Sequence, residues 1–297
     1  MAIQRIQLEH YRNYTDQTFS FDQHTVFLGP NGSGKTNILE AIRTLSVTKS
    51  YRLVSERDAI QWGESYCRVG LDTDEGLFEY ILTREEYGAK KAIKHNGVAL
   101  AFTEVYGRIP TVLFSPETMQ LIDGAPQERR RFLDTMLSQA DSLYLENLIR
   151  YRKVVKERHF VLLRLQQGLG SSDELDFWDK ELVMSGDYLM TKRAEFVTFL
   201  NQALLTIYPA FADDGKEQLV IRYKQSVEER PFGQKLRDLQ RYDIKTATTN
   251  AGPHRDDLVF LLHDRDVTLF ASRGELRRCV IATKLAETEF LKKMNQR

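Results

Sequence analysis

The chain has 297 residues, 42% of them hydrophobic, with 42 Lys and Arg against 42 Asp and Glu. It is long enough for one large α/β domain or two lobes, and its cancelled charge excludes a whole-molecule field that draws the chain to nucleic acid or an anionic membrane, so any polyanion contact must be a local patch. No apolar run nears the ~20 residues of a membrane span, the opening MAIQRIQLEHYRNYTD has no apolar signal core, and Cys67 and Cys279 suit reduced thiols better than a disulfide framework, which together imply a cytoplasmic protein without membrane contact.

Taken in chain order, apolar residues alternate at Ile3, Ile6 and Leu8 and again at Phe19 and Phe21, predicting two short strands. HTVFLGP then predicts a buried strand, and KTNILEAIRTLSVTKS, with Ile38, Leu39, Ile42 and Leu45 at helical spacing, predicts a helix. From Tyr66 to about Val105 the period is near two, and the Asn96-Gly97 pair favours a type I′ hairpin turn, so an antiparallel meander is expected. Long helical stretches follow from Met136 to Gln167 and from Asp173 to Ile207, broken at Gly168 to Ser172, where Ser171 and Glu174 fit a capping box. Two antiparallel helices of roughly 30 residues reach on the order of 45 Å, an arm projecting from a sheet-based body. EQLVIRYKQ and DDLVFLL predict further strands, and a last helix runs from about Gly274 to Lys293. The expected fold class is α/β, with a mixed sheet, an antiparallel meander and an inserted antiparallel helical arm. The expected domains are residues 1–134, 135–210 and 211–297.

Between the predicted strand and helix, Gly29, Pro30, Asn31, Gly32, Ser33, Gly34, Lys35 and Thr36 fill the pattern G-x-x-x-x-G-K-[ST] without a mismatch. Glycines let successive backbone N–H groups face inward around phosphates. Lys35 would lie against the β- and γ-phosphates, the Thr36 hydroxyl would ligate Mg²⁺, and the helix continuing through Asn37 would present its positive end. A chance glycine turn is the bland alternative, but the flanking strand and helix are those the motif requires. The motif predicts ATP and Mg²⁺ without naming a reaction.

Five ordered blocks then carry a resemblance along nearly the whole chain, weakest in the helical stretches: HYRNYTDQTFSF, GPNGSGKTNILEAI followed by KSYR, LFSPETMQLIDGAPQERRRFLD, AGPHRDDLVFLL and FASRGELRR. In order and spacing they resemble the RecF family of bacterial recombination mediators, ATPases of the ABC and SMC-like class. The resemblance implies a P-loop ABC-type ATPase head that pairs with a second copy in an ATP-dependent dimer, each cradle meeting the partner's signature segment. In this sequence that segment is similar to ASRGELRR, with Ser272 and Gly274 facing the γ-phosphate across the dimer; Arg273 and Glu275 depart from the uncharged residues usual there. Glu117 occupies the place of a polar group that senses Mg²⁺ and γ-phosphate. The family also implies DNA repair and replication work after DNA damage, including the SOS response, on duplex next to single-stranded gaps, with RecO and RecR as partners.

Plainer readings of these segments remain open. Ser272 and Glu275 also fit a capping box, Ser115 with Pro116 fits a helix start, and GPHRDD fits a turn held by a salt bridge. Candidate DNA contacts are Lys90, Lys91 and Lys94, and Arg150, Arg152, Lys153, Lys156 and Arg158 of RYRKVVKERH; Arg129 to Arg131 form a further basic run. A solvated helix face is the alternative for each. Hydrolysis in this class needs a strand ending in two acidic residues, which in the family follows the signature helix, whereas here the sequence ends at ETEFLKKMNQR. The expectation is a chain shortened before that strand, which binds nucleotide but has no catalytic residues for hydrolysis. A non-catalytic DNA-binding or assembly subunit with a nucleotide switch is the alternative; a small-molecule kinase is disfavoured by the long helical hairpin.

Overall fold

The structure, a computed structural model, describes residues 2–50, 55–212, 217–227 and 230–295. Tyr51 and Arg52 of the KSYR block lie outside them. The chain divides into two compact units, Met1–Thr111 and Val112–Arg297.

In the first unit β1 (Ile3–Tyr11) and β2 (Tyr14–Ser20) form a hairpin, followed by α1 (Lys35–Val47), β3 (Tyr66–Thr73), β4 (Gly76–Glu85), β5 (Gly88–His95), β6 (Val98–Leu100) and the single turn α2 (Phe102–Val105). The strands make one antiparallel sheet in the order β2-β1-β3-β4-β5-β6. Alternation sends Ile6 and Leu8, Cys67, Val69 and Leu71, Phe78, Tyr80 and Leu82, and Ile93 into one core, which Ile38, Ala41 and Leu45 of α1 join. Asn96 and Gly97 have φ of +51° and +81°, the two left-handed residues that a type I′ turn demands.

The buried strand predicted at HTVFLGP is not formed. Residues 24–30 enter no sheet among the described residues, and Val26 and Leu28 are 79% and 90% exposed. Phe27 turns the other way, onto Phe19 and Phe21, with ring centroids 5.7 and 5.9 Å apart. The alternation encodes which side chains share a face, but a strand also needs a ladder partner, and no described strand offers one. Among the described residues both sheets are consequently antiparallel throughout rather than mixed.

The second unit contains α3 (Gln120–Asp123), α4 (Pro126–Ala140), α5 (Ser142–Gln166), α6 (Glu174–Ile207), β7 (Leu219–Lys224), α7 (Phe232–Thr246), β8 (Asp257–Leu262), β9 (Arg265–Asp266), α8 (Val267–Phe270) and α9 (Arg273–Asn295). Strands β7, β8 and β9 form an antiparallel sheet in that order. The first helical stretch breaks earlier than its periodicity suggests. Asp141 adopts an extended conformation and its carboxylate caps α5 by accepting from the Tyr144 N–H at 3.1 Å.

Helices α5 and α6 run antiparallel, as the ion pairs Arg150–Glu181, Arg158–Asp179 and Arg164–Glu174 show. At 25 and 34 residues they are roughly 37 and 51 Å long. They do not project freely. Buried residues of α6 from Leu182 to Leu204 share one core with Leu236 of α7, Phe260 of β8 and Val280 and Phe290 of α9, and only Val161, Leu162, Leu175 and Ala247 form a separate cluster toward the α5–α6 turn. Periodicity identifies an apolar face but not what covers it. At that turn, half of the expected capping box forms: the Ser171 N–H donates to Glu174 Oε1 at 3.1 Å, while the Ser171 hydroxyl faces the Asp173 N–H. No helix among the described residues is long and apolar enough to cross a membrane.

Candidate functional site

The cradle occupies the turn into α1. Gly32 and Gly34 have φ of +84° and +100°, in the left-handed region that side chains avoid. Gly34 has a second reason to be glycine, since a Cβ there would fall 2.5 Å from the Tyr14 hydroxyl and 2.7 Å from the Asn13 amide. The Asn13 amide donates to Ser33 O at 3.3 Å, and the Asn37 amide donates to Asn13 Oδ1 at 2.8 Å, so the β1–β2 hairpin end buttresses the loop from behind. Lys35 Nζ donates to Gly29 O and Pro30 O, both at 2.7 Å, closing the loop on itself. The Thr36 side chain is exposed at the first turn of the helix.

Helix α1 is tied down by a pair of residues that motif reading passes over. Glu40 is completely buried, and Arg12 Nη2 donates to both of its carboxylate oxygens at 2.9 Å, with the Ser50 hydroxyl donating to Oε1 at 2.5 Å. Arg12 holds this position with φ +57°. The signal was a glutamate on the same helical face as Ile38, Ala41 and Leu45, where a solvated residue is out of place.

Such a loop fits a polyphosphate: glycines in the left-handed region, a lysine at its mouth, a helix N-terminus behind it and a hydroxyl at the metal position. Lys35 and the loop amides would bind phosphate and Thr36 would hold Mg²⁺, which in turn would neutralise phosphate charge.

The second unit holds the remaining candidates. Glu117 lies in a 3₁₀ turn, Pro116–Met119, where the Ser115 N–H donates to the Thr118 hydroxyl at 2.9 Å, the helix-start arrangement. Ser272 and Glu275 form the full capping box: the Ser272 N–H donates to Glu275 Oε2 at 2.7 Å and the Glu275 N–H donates to Ser272 Oγ at 3.3 Å. A hydrogen bond of the carboxylate with the Ser272 side chain, and then the one from the Ser272 N–H, hold the Glu275 pKa below its ordinary value. Gly274 is exposed in the first turn.

Among the DNA candidates, Lys91 is removed. It shares the inward face of β5 with Ile93, pairs with Glu56, donates to Thr48 O at 2.8 Å and lies over the Tyr80 and Phe102 rings, whereas Lys90 and Lys94 lie on the other face. Arg158 is likewise removed, being fully buried between Asp179 and Asp243 at 2.7 and 2.8 Å. Arg150 is held by Glu181 at 2.8 Å. Arg152 bonds Asp134 at 2.9 Å yet stays 65% exposed, and Lys153 and Lys156 are exposed. Arg129 forks onto Asp257 at 2.6 and 3.0 Å and is structural.

Known proteins match the chain along most of its length. A family model described as an AAA domain matches residues 5–202. The DNA replication and repair protein RecF of Lachnoclostridium phytofermentans is 36% identical over 300 residues, covering 100% of this chain and 83% of the relative. That of Halalkalibacterium halodurans is 36% identical, covering 98% and 82%. A solved structure of the recombination mediator protein RecF with ATP, from the RecFOR pathway, superposes with a TM-score of 0.90 at 27% identity, covering 99% of this chain and 82% of the other. An Smc head domain from Pyrococcus yayanosii reaches 0.51 at 12% identity, a likeness of fold.

Proposed function

This chain belongs to the RecF family of DNA replication and repair proteins, and from that premise we propose that it is an ATP-binding recombination mediator that engages DNA as an ATP-dependent dimer. The observation that carries the reading is the cradle: Gly34 fits against Asn13 and Tyr14 with no room for a side chain, and Lys35 sits at the mouth of the loop. Lys35 and the free backbone N–H groups of the loop, to which Pro30 contributes none, bind the ATP phosphates, and Thr36 ligates Mg²⁺. Ser272 and Gly274 meet the nucleotide of a second copy, and Glu117 serves as the polar sensor. The resting capping box of Ser272 with Glu275 must open, or share its donors, for that contact. The DNA is duplex bordering single-stranded gaps, and RecO and RecR are the protein partners.

Turnover needs a metal-binding aspartate and a second acid beside the cradle. Glu40, the nearest acid along α1, is buried and already neutralised by Arg12. Helix α1 therefore supplies no acid for turnover, and the reading is nucleotide binding with ATPase near background. Titration with a fluorescent ATP analogue, with and without Mg²⁺, should give saturable binding that Lys35→Ala weakens at least tenfold, as expected for loss of a charged phosphate contact of about 1.5–3 kcal/mol. Binding unaffected by Lys35→Ala would overturn the site, and steady-state hydrolysis abolished by Lys35→Ala would overturn the claim about turnover.

A further inference from the structure

The GPHRDD block sits inside an arginine cluster of the second unit that the nucleotide site does not use. Its backbone is rigidly placed: Gly252 has φ +117°, and a Cβ there would lie 2.3 Å from the Tyr151 hydroxyl and 2.6 Å from the Phe232 ring. His254 is clamped, with the Tyr151 hydroxyl donating to Nδ1 at 2.7 Å and Nε2–H donating to Thr249 O at 2.9 Å. Asp256 is fully buried and accepts from the Tyr223 hydroxyl and, at 2.8 Å, from the Ser226 N–H.

Each carboxylate here is taken. Asp134 accepts from Arg193 at 2.7 Å, from Arg152 at 2.9 Å and from the Tyr144 hydroxyl at 2.7 Å. Asp256 lies 3.7 Å from Arg193, and Asp257 holds Arg129. Two guanidiniums are left over. Among the described residues Arg130 and Arg255 form no ion pair: Arg130 Nη1 donates to Asp256 O and Arg255 Nε donates to Thr249 O, each at 3.0 Å. Both are thereby hooked to carbonyls of one short segment, 249–256, which orients them and leaves further N–H donors to spend elsewhere. Arg130 is partly buried and Arg255 exposed. Burial first, and then the like charges of Arg193 and Arg255, lower the Arg130 pKa against the opposing pull of Asp257 and Asp134. An anion at this place would relieve that repulsion.

We infer that Arg130 and Arg255 form a two-pronged contact for the phosphodiester backbone of nucleic acid, anchored on the GPHRDD segment. This rests on the DNA-binding reading above. A polyanion suits the place better than a lone phosphate because exposed cations continue beyond the pair. Arg131 neighbours Arg130 on α4 and meets Glu128 only at 3.9 Å, Arg152 shares Asp134 with the cluster, and Lys156 follows Arg152 by one helical turn of α5. Contacts of this kind fix position without reading sequence.

The test is fluorescence anisotropy with gapped duplex DNA across a salt series, comparing the wild-type chain with Arg130→Gln/Arg255→Gln and Arg130→Lys/Arg255→Lys, with ATP-analogue binding as the check on folding. Two lost phosphate contacts should make the slope of log K against log salt about 1.8 shallower, at roughly 0.9 per contact, and weaken affinity at least tenfold near physiological salt. The lysine pair should keep the slope. Unchanged affinity and slope in the glutamine pair, with tight wild-type binding, would sink this contact and leave the DNA reading standing. Wild-type binding that is absent or indifferent to salt would sink both. If inorganic phosphate binding changes in the glutamine pair while DNA binding does not, the pair is a small-anion site and the inference is wrong.

Discussion

Replacing Arg12 with leucine separates the two roles that the β1–β2 hairpin end plays. Glu40 has no exposed surface, so Arg12→Leu withdraws the Arg12 guanidinium from a buried carboxylate that keeps the Ser50 hydroxyl. Breaking a buried ion pair from one side costs about 3–5 kcal/mol. The reverse substitution, Glu40→Leu, should cost less, about 1–2 kcal/mol, because Arg12 is 22% exposed and can reach water. The double variant should recover most of the loss, since a buried pair replaced by apolar residues of similar size is close to neutral. A double-mutant cycle from urea denaturation followed by circular dichroism should therefore give a coupling of at least ~2 kcal/mol. Asn13, the next residue, braces Ser33, so Arg12→Leu should also weaken ATP-analogue binding, while the double variant regains it only in part. Additive single effects, or an Arg12→Leu cost below ~1 kcal/mol, would refute the account of how α1 is anchored.

Gly34→Ala should abolish nucleotide binding while Gly32→Ala reduces it less, because a Cβ meets nothing within 4 Å at Gly32 but strikes Asn13 and Tyr14 at Gly34; equal titration curves for the two variants would contradict this. Burial lowers the His254 pKa to about 4, so at pH 5 the unfolded chain binds a proton that the folded chain refuses. Stability then rises with pH between about 4 and 6.5 and is lost as pH falls through that window, by roughly 3 kcal/mol. His254→Gln, which can keep one donor and one acceptor, should flatten the denaturation midpoint across that range, and an unchanged profile would exclude His254 as its source. Glu275→Gln retains the bond to the Ser272 N–H but removes the charge, so ATP-dependent association in sedimentation should tighten; weaker association would mean that the carboxylate itself helps the contact.

The cradle was legible because its chemistry is local. Gly32, Gly34, Lys35 and Thr36 act through their own backbone and side-chain types within one turn, and the meander was legible through its alternation and its Asn-Gly turn. What stayed hidden depends on partners distant in sequence: Asn13 behind Ser33, Arg12 on Glu40, and the absence of a described ladder partner for residues 24–30. Two of the basic candidates, Lys91 and Arg158, are taken into the core for a more instructive reason. Lys91 keeps the parity of buried Ile93, and Arg158 stands four residues from both Val154 and Leu162, so each lies on the apolar face of its own element. Arg193 repeats the pattern between Leu189 and Val197. A charge run says where cations are dense, whereas periodicity says which of them face inward, and the second criterion must be applied first. A cation in register with an apolar stripe cannot be left without a counterion in the core, so its presence there forecasts a carboxylate from another element. Asp134 for Arg193, Asp243 for Arg158 and Glu56 for Lys91 meet that demand. The same logic singles out Arg130 and Arg255: they stand at the edge of a core whose carboxylates are all engaged, where a counterion from outside the chain can still arrive.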